Sequence, residues 1–262
     1  MPKVQSSPAP SAAWTRPWWW AAGGVAMLAA VGAVAPLTLL AWAAGVAYLV
    51  VSSLLMSLGL RRRGETRFGA ANAVTASRSA LVGVATALVV SAFADGGDTG
   101  LLVTIVAVAL ALDGVDGYVA RRTGSVSELG GRFDMEVDAF LLLVLSVHDA
   151  RFVGWWVLSI GLMRYAFVAA AWLWPFFART LPYRYWRKVV TAACGVALTV
   201  VAAQLLPAVA NVVLAAAALA LLVESFGRDV LWLVRMNRTS ADLVSPENAP
   251  AREPRGARDE SR

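Results

Sequence analysis

Apolar residues run along this chain from about residue 18 to residue 226 with only short polar breaks. The pattern predicts helices over 18–35, 38–58, 78–94, 101–119, 133–148, 153–174, 189–206 and 208–226. A bilayer core about 30 Å thick needs about 20 apolar residues in a helix, and several of these runs are near that length. Trp18, Trp19 and Trp20 form an interfacial anchor at the first run, and Pro36 turns the chain between the first two. The Pro-, Ser- and Ala-rich stretch 1–16 and the polar stretch 239–262 read as disordered tails. Between the second and third runs, 61–77 is too mixed to span and reads as a cytoplasmic interfacial segment. The expectation is an all-α, polytopic membrane helix bundle, with two transmembrane helices over 17–60 and a membrane domain over 78–235.

Composition agrees. Of the 262 residues, 59% are hydrophobic and 15% charged, against about 45–50% and about 25% in soluble domains. The formal net charge of +6 comes almost wholly from Arg, and topology accounts for it without a nucleic-acid partner. With the N-terminus in the cytoplasm, only Arg151 falls in an external loop and Arg78 and Arg164 fall within helices, so 20 of the 23 Lys and Arg residues are cytoplasmic. This places a multi-pass protein in the cell (inner or plasma) membrane with both termini and the segment 120–132 on the cytoplasmic side. The one cysteine, Cys194, excludes a disulfide framework and reads as a small buried residue. The one histidine, His148, sits beside Asp149 at a predicted helix end and reads as a solvated loop residue.

Two of the apolar runs carry acids, and these change the picture. The segment from Asp113 to Asp138 reads DGVDGYVARRTGSVSELGGRFDMEVD. Asp113 and Asp116 are three apart and share a helix face, as do Asp134 and Asp138, four apart on the next helix. The joining loop is short, so the four carboxylates can converge at the cytoplasmic end of one helix pair. Acids inside a membrane face a cavity or a partner, and four together are tolerable only with cations. An all-carboxylate set suits Mg²⁺ or Mn²⁺, and such a cluster can hold two ions that clamp a phosphate during in-line displacement. Gly117 and Ala120 leave room for a ligand. Arg121, eight residues after Asp113, returns to the same face and can grip a phosphate in a bidentate way. Gly130 can turn the chain or leave space before the second acidic helix.

The arrangement D-x2-D-G-x2-A-R-x8-G-x3-D-x3-D resembles the signature of the CDP-alcohol phosphotransferase (CDP-alcohol phosphatidyltransferase) family, with all eight positions filled. The resemblance covers the helices from about 72 to 226. It implies a six-helix core, preceded here by two extra helices, and a homodimer using CDP-diacylglycerol and divalent metal to form phospholipid. By the same resemblance, Asp113, Asp116 and Asp134 bind two ions, and Asp138 touches a metal and acts as general base. Gly117, Arg121 and Ser127 match positions that hold the nucleotide and its phosphates. Asn72, Thr75 and Arg78 resemble the family's N-x-x-T-x-x-R stretch beside the donor.

The acceptor alcohol is less legible. Relatives acting on glycerol phosphate or inositol phosphate often carry Lys or Arg directly after the last Asp, where this chain has Ala139. A phosphorylated acceptor would then need Arg164, near mid-span, or the group Arg184, Arg187 and Lys188. Glu136 lies about 200° around the helix from Asp134 and from Asp138 and is expected to point away from them. The competing classes are a transporter, whose acids would be spread across the membrane depth, and a CDP-lipid-binding protein without turnover.

Overall fold

In a computed structural model, residues 15–63, 70–95, 97–123, 128–174 and 185–244 are described. They form eight α-helices: α1 (Arg16–Val34), α2 (Leu39–Arg63), α3 (Ala70–Asp95), α4 (Thr99–Thr123), α5 (Glu128–Val153), α6 (Leu158–Leu173), α7 (Tyr185–Ala203) and α8 (Ala208–Val244). A short 3-10 turn, Trp155–Val157, joins α5 to α6. No strand occurs among the described residues. Pro17 opens α1, where its missing N–H costs nothing. Asp98 caps α4 by accepting from the Leu101 amide at 2.9 Å.

Among the described residues, six helices are long and apolar enough to cross a bilayer: α1, α2, α3, α6 with the 3-10 turn that precedes it, α7 and α8. Charged residues interrupt α5, and α4 has an apolar stretch over Thr99–Val115. The chain is therefore a polytopic membrane bundle, and the acidic motif lies on α4 and α5. Two mid-helix hydroxyls bond to carbonyls of their own helix, which satisfies them without water. Ser146 donates to Leu142 and Thr86 to Val82, both at 2.7 Å.

α3 is the axis of the fold. It touches α1, α2, α4 and α5, and 72% of its membrane window is buried, against 28% for α1, α2 and α8. Its Val82, Val84, Ala87 and Leu88 are sealed in the core. α5 bridges to the second half of the bundle, packing on α6 and α7. Gly161 permits the α5–α6 approach, because a Cβ there would lie 2.4 Å from the Leu143 Cα.

Several bounds differ from the sequence-based expectation. α3 starts at Ala70, inside the stretch expected to be interfacial. Its early polar residues are buried against other helices, so tertiary packing extends what hydropathy cut short. α5 runs past both ends of 133–148, and α8 continues to Val244, beyond the tail expected from 239. His148 is not a solvated loop residue. It lies inside α5, and both it and Asp149 are 0% exposed. Cys194 is buried as expected. Residues 1–14, 64–69 and 245–262 lie outside the described residues.

Candidate active site

Arg78 is the centre of the site. It is 1% exposed and its guanidinium reaches three carboxylates from two other helices. Nη1 donates to Asp113 of α4 at 2.6 Å. Nη2 donates to the Asp134 side chain of α5 at 2.5 Å and to its carbonyl at 3.3 Å, and lies 3.1 Å from Asp138. A planar fork with five donors can serve several acceptors at once, which a lysine cannot. Asn72 and Thr75, on the two turns before Arg78, are also buried.

One oxygen from each of Asp113, Asp134 and Asp138 lies within 4.8 Å of the others. The three side chains stay partly exposed, at 15%, 24% and 22%. An arginine held at close range and three partly exposed aspartates make a compact anionic cluster. The donor set is carboxylate oxygen alone, which fits a hard divalent cation such as Mg²⁺ or Mn²⁺. Asp116, Gly117, Ala120 and Arg121 lie on the last turns of α4, with side chains outside the described residues. Ser127 and Arg184 lie wholly outside them. Gly130 sits in the first turn of α5.

The residues expected to face an acceptor separate. Lys188, on α7, brings its Nζ to 3.7 Å from Asp113 and so joins the cluster. Arg187 pairs instead with Asp229 of α8 at 3.3 Å, and that aspartate is buried. Arg164 is ion-paired with Glu136, which points away from the cluster face as its position on the helix implies. Sequence reasoning missed the centrality of Arg78 and the Asp229 anchor. Charge counting offered one signal: a tight group of acids in an apolar setting demands a basic residue, and Arg78 is an isolated cation in an apolar run.

A family model described as CDP-alcohol phosphatidyltransferase matches residues 68–223, which include α3 to α7 and the first part of α8 and leave α1 and α2 outside. No curated protein matches the chain, and no solved structure does.

Proposed function

The chain belongs to the CDP-alcohol phosphatidyltransferase family, and from that premise we propose that it moves a phosphatidyl group from CDP-diacylglycerol to a phosphorylated polyol, such as glycerol 3-phosphate or inositol phosphate, releasing CMP. Membership makes it a membrane transferase of phospholipid synthesis that takes a CDP-alcohol substrate. The observation that carries the finer reading is the convergence of Asp113, Asp134 and Asp138 on the buried Arg78.

In this reading Asp138 accepts the proton of the acceptor hydroxyl. The freed oxygen attacks the phosphorus on the lipid side of the diphosphate, the bond to the bridging oxygen breaks, and CMP departs with the electron pair. Asp138 suits the task because its side chain is partly exposed while the Arg78 Nη2, 3.1 Å away, holds the carboxylate in place. Arg121, with Gly117, Ala120, Ser127 and Gly130, is assigned to the nucleotide and its phosphates, and Asn72 and Thr75 to the donor end of α3. Asp113, Asp116, Asp134 and Asp138 would hold two Mg²⁺ or Mn²⁺ ions, which when bound neutralise the diphosphate.

Lys188 supports a phosphorylated acceptor. It sets a cation beside the cluster where Ala139 offers none, and Asp229 holds Arg187 one residue away. Arg164, engaged by Glu136, is less suited to that role. The reading includes a homodimer in the cell membrane and places the site on the cytoplasmic side, an orientation supported by the distribution of Lys and Arg.

The test is CMP release by the purified protein in detergent with Mg²⁺ and CDP-diacylglycerol. The acceptor panel comprises glycerol 3-phosphate, inositol phosphate, inositol, serine and a lipid alcohol. The expected result is release with one phosphorylated polyol, lost in Asp138→Asn. Release with an uncharged acceptor alone would overturn the acceptor assignment, and no release with any acceptor would overturn the reaction.

A further inference from the structure

Helix α2 lies outside the segment that defines the family match, yet it packs on α3 and touches α5, two of the helices that carry the site. Its Tyr48 touches both helices that supply the central residues. The Tyr48 ring stacks on Phe140 of α5, with centroids 4.5 Å apart and planes 23° apart. The buried Ser79 of α3 donates to the Tyr48 hydroxyl at 3.3 Å. Ser79 is the residue after Arg78, and Phe140 follows Asp138 by two. α2 presses closely on α3 here: a Cβ on Gly83 would meet Leu49 at 2.8 Å and Tyr48 at 3.3 Å.

We propose that Tyr48 is a positioning residue of the catalytic centre, which fixes α3 against α5 so that Arg78 and Asp138 stay in register. The inference rests on the reaction proposed above. Its physical reason is that Arg78 must meet carboxylates from two other helices, so a small slide of α3 along α5 would separate them. In lipid, helices associate without a strong hydrophobic force and rely on packing and single hydrogen bonds to set register. A tyrosine suits this need. Its ring is a rigid wedge with two side-chain torsions, and its hydroxyl pins one turn of α3. For packing alone, phenylalanine would serve as well. The extra N-terminal helices thereby become a splint for the site.

The experiment uses the full chain in detergent and compares Tyr48→Phe, Tyr48→Ala and Leu49→Ala with wild type. Leu49 is a control for packing. It is the next residue on α2, is 2% exposed, and packs on α3 without touching the cluster. Three readouts are taken: kcat and KM for CMP release, Mn²⁺ affinity by electron paramagnetic resonance, and melting temperature. Tyr48→Phe is expected to lower kcat about three- to tenfold with KM for the donor unchanged, the size of one hydrogen bond. Tyr48→Ala is expected to lower kcat about 100-fold, as misplacement by about 1 Å can. It should also weaken Mn²⁺ binding about tenfold. Leu49→Ala should melt earlier yet keep wild-type kcat per folded molecule.

Wild-type kcat and Mn²⁺ affinity in Tyr48→Ala would overturn the proposal, and so would equal kcat losses in Leu49→Ala and Tyr48→Ala. If Tyr48→Ala does not fold, Tyr48→Phe decides: an unchanged kcat counts against the proposal. If wild type releases no CMP with any acceptor, the reaction is wrong, and the Mn²⁺ comparison still decides the role of Tyr48.

Discussion

Helix α5 carries ionisable groups at both ends, and the two ends are built differently. At the first, Asp134 and Asp138 meet Arg78 of α3 and Asp113 of α4, so three helices contribute and the carboxylates keep an open side. At the second, His148 and Asp149 are fully buried and lie 3.3 Å apart through Nδ1 and Oδ1. Arg151 closes that end. It donates to the Ala92 carbonyl at 2.6 Å and lies over the rings of Phe93 and Phe152 at 5.0 and 5.1 Å. His148 Nε2 and Asp149 Oδ2 have no hydrogen-bond partner among the described residues. The first end is open to a ligand, and the second is a tether between the last turns of α3 and α5. Ionisable residues in a membrane helix mark function by default, but exposure and the convergence of separate helices distinguish a site from a clasp.

The largest break in that comparison should come from Asp138→Asn. CMP release should fall by about 10²–10⁴-fold, the range of a lost general base, with the melting temperature little changed. Next is Arg78→Lys. One ammonium cannot reach all three acids, so the variant should lose activity and also stability. Removing one partner from a buried charge network costs about 3–5 kcal/mol, readable as a lower melting temperature in detergent. The clasp should behave in the opposite way. The double variant His148→Leu, Asp149→Leu replaces buried polar groups with apolar ones, which is often neutral or stabilising by about 1–4 kcal/mol. Its kcat per folded molecule should match wild type, and a loss of more than tenfold would mean the two ends are coupled. The smallest effect is expected for Glu136→Gln. Its pair with Arg164 is partly exposed, and such pairs contribute about 0–1 kcal/mol, so CMP release should change less than twofold.

The acidic motif was legible because all its information is local. Asp134 and Asp138 lie about one turn apart on α5, and helical geometry alone sets them on one face. The direction of Glu136 was legible for the same reason. The ends of α3 and α8 were not, because hydropathy loses a helix where polar residues are buried by neighbours or leave the bilayer. The burial of His148 was missed likewise, since its cover comes from other helices and not from its flanking sequence.

What the sequence alone determined is the class of the molecule and its approximate helices, and it pointed to the acids of which Asp113, Asp134 and Asp138 come together; these follow from composition and short-range periodicity. Only the tertiary structure decided that Arg78 is the hub, that Lys188 joins it while Arg187 turns to Asp229, and that Tyr48 ties α2 to the site. The contacts of Arg78 with Asp113 and Asp134 span 35 and 56 residues. No periodicity reaches that far. The choice among partners is made by which helix packs beside which, and here that depends on α3 lying at the axis of the bundle.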